Sequence, residues 1–461
     1  MRRTAVSALL VLLLVSGPYA PLIRVIGKRP VFSAVTTASS KQDLTLLTYH
    51  GSLEVGAEAL QVQVLLHVLV KVKQRADGSF IVRTVTYAER SELAEGDDFA
   101  PSLTELSLTL EHEDGGAWQP LHLDELGVLQ VQGPFVHEAS VPENVAANEL
   151  RLRIMDWPIF YTISLAKLVD QNLYGPMLKE TGPFSNAIVI GDIHGGHPTT
   201  AAKVLATHMA HHFALGFDMY LLYVRGSDLS NAVQQNPVTS GYIVEGKLQI
   251  VSLDALQIPQ YDVGFREWAA YDPTKLIAYN HAALMLWGEH FHLSVLDIDE
   301  LWSSKDETTT VNTWFDRCFP GFDIISAGRL DMICKDCLQH SESEMHHFEK
   351  YWDASDPVEV LQSFSQVAGD SSDPKSIFNP DKVGQVWLHH PSGLPGSQTA
   401  LVAVNEDEYE LKEDCVFVVH LRNLFEKRIE HADTTVDRRH WLVHRHRNNR
   451  KSHTSNGVIN V

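Results

Sequence analysis

The residues whose types and spacing could do chemistry are the acidic run Asp297-Ile298-Asp299-Glu300, which directly follows the apolar segment 292–296. Residues two apart in an extended chain point the same way, so the carboxylates of Asp297 and Asp299 can face one crevice, while Glu300 faces away. Two clustered carboxylates repel each other unless a cation lies between them, and oxygen ligands favour Mg²⁺ or Mn²⁺. The pair therefore predicts a divalent-metal site, although acidic pairs at strand ends are also common surface features.

Strands and helices that alternate along the second half of the chain position this acidic run. Apolar segments without alternation predict strands that are buried on both faces. The predicted strands span 186–192, 219–224, 248–251 and 292–296, and the predicted helices span 199–214 and 272–289. This order indicates an α/β domain over residues 184–430, with a Rossmann-like and mainly parallel sheet. Ligands bind beyond the carboxyl ends of the strands in such sheets, which is where the acidic run lies.

The preceding segment, 41–172, has a different periodicity. Its apolar residues alternate with polar ones or are rich in β-branched types, which is typical of strands. The predicted strands span 60–66, 79–85, 106–111 and 149–154. Because no helical pattern separates them, we predict an all-β, sandwich-like N-terminal domain. Some sandwiches bind carbohydrate, but the fold alone does not establish that function.

The first 40 residues predict targeting to the secretory pathway. Met1-Arg2-Arg3 precedes an apolar run from Ala5 to Val15, which is the pattern of a signal peptide or of an uncleaved signal-anchor followed by a stem. The run of strictly apolar residues is shorter than a helix needs to be to cross a bilayer. Extending the run to Ile23 gives enough length, but the extended segment includes two prolines. Both interpretations stay open. We expect a single-pass type II protein of the Golgi lumen, membrane-bound through this segment if it is uncleaved, or a secreted protein.

The net charge and the cysteine content of the chain limit the kinds of partner and compartment that we expect. The formal net charge of −21 argues against nucleic-acid binding, because phosphate binding needs a basic surface. Residues 431–461 form a basic polar tail, which we interpret as a solvated terminus. Four cysteines suit a lumen and predict one or two disulfides. They are Cys318, Cys334, Cys337 and Cys415.

A rival interpretation is a metallophosphoesterase. The run Gly191-Asp192-Ile193-His194-Gly195 after a buried strand resembles the first motif of the calcineurin-like enzymes, which use two metal ions. The later motifs of these enzymes are matched only in part, by residues 225–228 and by Tyr279-Asn280-His281, which lies inside a predicted helix. The histidines at 208, 211 and 212 lack the glutamate of a His-Glu-x-x-His site, so we predict core or surface roles for them.

Several segments, in order along the chain, resemble glycosyltransferases of the GT-A fold. The similarity is greatest to family 92, which includes galactan synthases and galactosyltransferases, and it covers about residues 186–425. The segments are 211–218 with 221–224, 275–281, 295–301, 375–380 with 386–391, and 420–423. Residues 313–319 fit the family pattern only loosely, which leaves the acceptor open.

The resemblance implies a metal site that carries a nucleotide-sugar donor. Asp297 and Asp299 would coordinate Mn²⁺ (or Mg²⁺) that bridges the diphosphate of a UDP-sugar, and galactose is the sugar that the family suggests. Asp192 and Lys275 would lie against the donor, although a helix-surface lysine is the plainer interpretation of Lys275. A late histidine would complete the metal shell, and the candidates are His389, His390 and His420.

The family inverts configuration, so a carboxylate should deprotonate the acceptor hydroxyl of a glycan or glycoprotein. The candidate bases are Asp331, Glu342 and Glu344, each of which could instead be a surface residue. A third possibility, from a different functional class, is a secreted carbohydrate-binding protein without catalytic activity.

Overall fold

The chain divides into two compact units, residues 1–178 and 179–461. The computed structural model describes residues 23–24, 33–35, 45–55, 60–74, 79–91, 108–114, 116–126, 134–141, 149–154, 160–164, 184–191, 193, 197–254, 273–304, 308–334, 364–402 and 415–421. The N-terminal apolar run and the basic tail lie outside these residues. Within the described part of the chain, no helix combines the length and the apolar composition that crossing a bilayer requires.

All described elements of the first unit are strands, and all of their pairings are antiparallel. One sheet has the order β1-β3-β4-β5-β9-β8 with β2 added to β3, and the other has the order β11-β10-β6-β7. The predicted strands fall on β4, β5, β6 and β10; the sandwich arrangement stays a prediction. The strands are β1 (Ile23–Arg24), β2 (Ser33–Val35), β3 (Thr45–Val55), β4 (Leu60–Gln74), β5 (Phe80–Ser91), β6 (Leu108–Asp114), β7 (Ala117–Leu121), β8 (Asp124–Glu125), β9 (Phe135–Val141), β10 (Glu149–Ile154) and β11 (Phe160–Ser164).

The second unit is an α/β domain, as predicted. Its strands are β12 (Ser185–Ile190), β13 (Met219–Val224), β14 (Leu248–Ser252), β15 (Phe291–Leu296), β16 (Glu300–Ser303), β17 (Ile324–Cys334), β18 (Phe364–Phe378), β19 (Val383–Val386), β20 (Pro391–Gly393), β21 (Thr399–Val402) and β22 (Phe417–Leu421). Its helices are α1 (Pro198–Ala214), α2 (Asp228–Gln235), α3 (Pro237–Val244), α4 (Pro273–Leu286) and α5 (Val311–Thr313), which continues into a π-helical turn (Trp314–Cys318), with a 3₁₀ turn at Pro380–Lys382.

The main sheet of this unit is mixed, and most of its pairings are parallel, as predicted. Its order is β14-β13-β12-β15-β18-β17-β22-β16, with β21 added to β17. The first four strands are parallel, in agreement with the prediction. Beyond β15, β18 is antiparallel to both of its neighbours and β16 is antiparallel to β22, whereas β17 is parallel to β21 and to β22. Antiparallel strands need no crossover helix, so β16 and β18 lack the strand–helix alternation from which parallel pairing is inferred.

The histidines of α1 belong to the core, where they hold β16. Nε2 of His208 donates to the carbonyl of Glu300 at 2.7 Å, and Nε2 of His211 donates to the carbonyl of Trp302 at 2.7 Å. The backbone N–H of Trp302 donates to Nε2 of His212 at 3.0 Å. The hydroxyl of Tyr220 lies 2.9 Å from Nδ1 of His208 and 2.8 Å from Nδ1 of His212. These contacts fix the strand that follows the acidic run.

One disulfide, Cys318–Cys415, joins the end of the π-helical turn to the segment that precedes β22. The bond agrees with the prediction of one or two disulfides. Cys337 lies outside the described residues. The bridge anchors the chain shortly before His420, so it contributes to the placement of β22.

Three buried histidines predict an acid-sensitive fold. Burial lowers the pKa of His208 to about 4 and the pKa of His281 and of His292 to about 3. An unfolded histidine binds a proton near pH 6.5, whereas these stay neutral when folded. The stability contribution is therefore complete above about pH 6.5 and is lost as the pH falls toward about 4 for His208 and about 3 for His281 and His292.

Urea unfolding between about pH 7.5 and about pH 5 measures this loss. His281→Gln should make the free energy of unfolding less dependent on pH, because one depressed pKa is removed. Equal dependence in wild type and His281→Gln would contradict the assignment.

Candidate active site

The acidic run forms a turn at the carboxyl edge of the parallel strands. Leu296 ends β15 and pairs with Ile190, which ends β12, so Gly191 and Asp297 meet at this edge. The N–H of Glu300 donates to the carbonyl of Asp297 at 3.0 Å, and the N–H of Asp297 donates to Oε2 of Glu300 at 2.9 Å. The run is thus a closed turn with the Glu300 carboxylate beneath it.

Two lysines flank the carboxylate of Asp297. Nζ of Lys275, in the first turn of α4, lies 2.6 Å from Oδ1, and Nζ of Lys375, on β18, lies 3.0 Å from Oδ2. Burial by itself would raise the pKa of Asp297, but the two ammonium groups hold it well below its ordinary value. Lys275 is therefore an ion-pair partner of the motif rather than a solvated surface lysine.

Gly191 makes room for Lys275. A Cβ at this position would lie 2.8 Å from Cγ of Lys275 and 3.4 Å from Cε1 of Tyr279. The aliphatic stem of Lys275 therefore packs directly against the end of β12, and its ammonium group reaches Asp297. The next residue, Asp192, lies outside the described residues.

Glu300 and Arg329 form a buried ion pair under the motif. The side chain of Glu300 is 0% exposed, and its Oε1 lies 2.8 Å from Nη1 of Arg329. Its Oε2 lies 3.0 Å from Nζ of Lys375, which also donates to the carbonyl of Leu388 at 3.2 Å. Burial alone would lower the pKa of Lys375, but Asp297 and Glu300 raise it. Lys375 therefore stays charged, and one ammonium group connects the motif with the loop that follows β19.

A second chain of contacts runs from Asp299 through His420 to Asp331. His420 pairs in register with Glu300 on β16 and with Asp331 on β17. Nδ1 of His420 donates to Oδ1 of Asp331 at 2.8 Å, and Nε2 lies 3.5 Å from Oδ2 of Asp299. Burial would lower the pKa of His420, but hydrogen bonds to Asp299 and Asp331 raise it to about 9. Asp331 is buried and orients the imidazole.

The Asp299–His420 pair could hold a divalent ion with few protein ligands, provided that the ion displaces the proton that Asp299 and Asp331 stabilise on His420. Over the described residues, no three His, Cys, Asp or Glu side chains converge into a complete metal site. However, Mg²⁺ usually takes one or two carboxylates together with waters and substrate phosphates. A ligating histidine commonly donates its other ring N–H to a carboxylate, which is the arrangement of His420 and Asp331.

The other predicted site residues are placed as follows. His389 is half-buried; burial and the charges of Lys375 and Arg329 lower its pKa to about 4. His390 is exposed on the same loop. The candidate bases Glu342 and Glu344 lie outside the described residues.

Sequence reasoning gave no role to Lys375 or Arg329. Two signals were available in the sequence. Lys375 lies beside the apolar end of a strand, and Arg329 lies two residues before Asp331, so in a strand the two side chains point to the same face.

The partial phosphoesterase motif at Tyr279-Asn280-His281 serves the core of α4. Nδ2 of Asn280 donates to the carbonyl of Val386 at 2.6 Å, and the N–H of Val386 donates back to Oδ1 at 2.9 Å. The hydroxyl of Tyr223 lies 2.6 Å from Nδ1 of His281. Both side chains are buried, so their described contacts are structural.

Comparison with known proteins gives a family and two distant structural likenesses. Residues 198–456, more than half of the chain, match the model of glycosyltransferase family 92. The WbbM bifunctional glycosyltransferase is 11% identical, with 46% of this chain and 34% of that chain covered and a TM-score of 0.20. Mouse xyloside xylosyltransferase 1 is 12% identical, with 44% and 68% covered and a TM-score of 0.20. No curated protein matches the sequence.

Glu300→Gln should destabilise the second unit strongly. The change removes a buried negative charge between Lys375 and Arg329, and breaking a buried pair from one side costs about 3–5 kcal/mol. Asp373→Asn is the matched control, because this exposed carboxylate lies 3.5 Å from the same Arg329 and should contribute less than about 1 kcal/mol. Urea unfolding compares them. Equal losses would show that burial of Glu300 has no energetic role.

Gly191→Ala should also destabilise, because the new methyl group would meet the stem of Lys275. Crowding of this kind costs about 1–3 kcal/mol. Gly241→Ala in α3 is the control: nothing lies within 4 Å of its Cβ position, and alanine favours a helix. Thermal unfolding should show a lower midpoint for Gly191→Ala alone. An unchanged midpoint would contradict the close approach of Lys275.

Proposed function

We propose that this chain, which belongs to glycosyltransferase family 92, is a metal-dependent inverting enzyme that moves a sugar from a UDP-sugar to a glycan. The observation that carries the proposal is the arrangement of Asp299, His420 and Asp331 at the carboxyl edge of the sheet. The family match supports glycosyl transfer. The carboxylate beside an oriented imidazole supports a divalent metal ion as the cofactor of the reaction.

We assign the domain to the GT-A type. Support comes from the four parallel strands β14-β13-β12-β15 and from an acidic motif that follows the last of them in the chain. Donor-binding residues are expected at that edge of an open sheet. Lys275 and Asp297 contact each other there, and Asp192 follows directly on Gly191.

The proposed cofactor is Mn²⁺, with Mg²⁺ as the alternative, held by Asp299 and His420. When bound, a divalent ion neutralises the charge that develops on a departing diphosphate. The protein's own residues orient the histidine ligand and place positive charge beside the donor. Asp331 fixes the ring of His420 so that Nε2 faces Asp299, and Lys275 brings a positive charge to the donor side of the motif.

The proposed donor is UDP-galactose, and the acceptor is a glycan or glycoprotein. Inversion requires a base that takes the proton of the acceptor hydroxyl as this oxygen attacks the sugar carbon in line. Asp331 is committed to His420, so we assign it an orienting role. Glu342 and Glu344 are the candidates for the base.

We propose residence in the Golgi lumen as a type II membrane protein, with secretion as the alternative. The basic and apolar N-terminus of the sequence supports entry into the secretory pathway. The Cys318–Cys415 disulfide supports an oxidising compartment.

A donor screen on the full chain with Mn²⁺ or with EDTA tests this function. We expect UDP release from UDP-galactose that requires Mn²⁺ and that Asp299→Ala reduces at least about 100-fold, as for loss of a group that supports the transition state. Asp316→Ala, an exposed acidic position in the π-helical turn, is the control and should keep wild-type turnover.

Unchanged turnover in Asp299→Ala would reject the site. If no nucleotide sugar were turned over but the protein were retained on immobilised glycans, a binding protein would replace the enzyme. Release of phosphate from an aryl phosphate would favour the phosphoesterase.

A further inference from the structure

Strand β16, which begins at Glu300 directly after the acidic run, lies at the end of the main sheet. Within the described part of the chain it has one neighbouring strand, β22. Its outer edge is hydrogen-bonded instead by imidazoles of α1, which contact the carbonyl of Glu300 and both the N–H and the carbonyl of Trp302. His208, His211 and His212 lie on one face of the helix, so α1 supplies with side chains the bonds that a further strand would supply with its backbone.

The backbone groups at this edge decide which ring nitrogens carry hydrogen. The carbonyl of Glu300 can only accept, so Nε2 of His208, at 2.7 Å, carries a hydrogen. The N–H of Trp302 can only donate, so Nε2 of His212, at 3.0 Å, carries none. Burial lowers the pKa of His208 to about 4, so its ring is neutral at neutral pH. The two rings therefore hold opposite tautomers: Nδ1 accepts in His208 and donates in His212.

Tyr220, on β13, joins these two rings. Its hydroxyl lies 2.9 Å from Nδ1 of His208 and 2.8 Å from Nδ1 of His212. A hydroxyl donates one hydrogen and can accept others, so it donates to His208 and accepts from His212. The hydroxyl also lies 3.2 Å from the backbone carbonyl of His208. Donation to that carbonyl would withdraw the hydrogen from the buried Nδ1 of His208, which is a costly loss.

These contacts form a directed circuit that begins and ends on β16. The N–H of Trp302 donates to His212, and His212 donates to the hydroxyl of Tyr220. The hydroxyl donates to His208, and His208 donates to the carbonyl of Glu300. All three side chains are at most 2% exposed. A reversed tautomer would set two donors or two acceptors against each other in a site that water does not reach, so the circuit has one stable direction.

Glu300 connects the circuit with the acidic motif. Its backbone carbonyl is the last acceptor of the circuit. Its carboxylate accepts from the N–H of Asp297 at 2.9 Å and pairs with Arg329 at 2.8 Å and with Lys375 at 3.0 Å. A displacement of this backbone carbonyl would therefore carry the carboxylate away from the turn that it supports.

We infer that Tyr220 is a positioning residue of the active site: its hydroxyl fixes the tautomers of His208 and His212 and so holds the backbone of Glu300 beneath the acidic motif. Tyr220 acts through β16 and not by contact with a substrate. The effect on sugar transfer rests on the proposed function, whereas the positions of the protons do not depend on it.

Neutron diffraction from crystals of the perdeuterated full chain at neutral pH locates these protons. We expect deuterium on Nε2 of His208 and on Nδ1 of His212, with the hydroxyl of Tyr220 directed at Nδ1 of His208. Deuterium on the opposite nitrogen of either ring, or on both nitrogens of either ring, would overturn the circuit. The measurement needs no turnover, so it is independent of the proposed function.

Tyr220→Phe tests the positioning role, and Tyr223→Phe is its matched control. Tyr223 lies on the same strand and is equally buried, and its hydroxyl lies 2.6 Å from Nδ1 of His281, on α4. Both changes remove one buried hydroxyl from an imidazole, so the urea midpoint should fall by similar amounts. We expect Tyr220→Phe alone to lower kcat for UDP release about 10- to 100-fold, with KM for the UDP-sugar changed less than about threefold, because reacting groups are misplaced while donor contacts remain.

A wild-type kcat in Tyr220→Phe, or an equal loss in Tyr223→Phe, would overturn the positioning role. His208→Gln and His208→Leu decide the case if Tyr220→Phe does not fold. The glutamine amide can still donate to the carbonyl of Glu300, whereas leucine cannot, so we expect kcat to be at least about tenfold higher with glutamine. Equal kcat values would contradict the inference. If the wild type turned over no nucleotide sugar, the proposed function and the positioning role would fail together, while diffraction would still decide the circuit.

Discussion

The charge of Lys375, buried in the second unit, is the constraint that organises the candidate site. A lysine that is 1% exposed is tolerated only where its charge is paired and its donors are used. Here the partners are the motif aspartate Asp297, the buried Glu300 and the carbonyl of Leu388. The end of β15, the start of β16, strand β18 and the loop after β19 must therefore keep their relative positions, because separating any of them would leave a buried charge incompletely paired.

The mixed sheet is what brings these partners together. Parallel pairing of β12 with β15 sets Gly191 beside Asp297, while the antiparallel β18 brings Lys375 back toward the same edge. On the other side, the registers of β16, β22 and β17 align Glu300 with His420 and His420 with Asp331. The antiparallel strands β18 and β16 contribute Lys375 and Glu300, and the mutually parallel strands β17 and β22 contribute Asp331 and His420.

The sequence predicts the four parallel strands β12 to β15 well and the strands beyond β15 poorly. Strands such as β13 and β15 are continuous apolar segments bounded by helical patterns, so local periodicity is sufficient to find them. Strand β18 contains polar residues and glycine, and its pairing depends on partners far along the chain. For the same reason Asp297 and Asp299 could be selected from their place after a strand. The pairing of Lys375 with Asp297 and Glu300 is a tertiary contact that no local spacing encodes.

The most direct test of the account is the position of the metal ion. Crystals of the full chain grown with Mn²⁺ and UDP, measured at the manganese absorption edge, locate the ion by its anomalous signal. We expect one peak between the carboxylate of Asp299 and Nε2 of His420. The absence of a peak near Asp299 would contradict the proposed metal site.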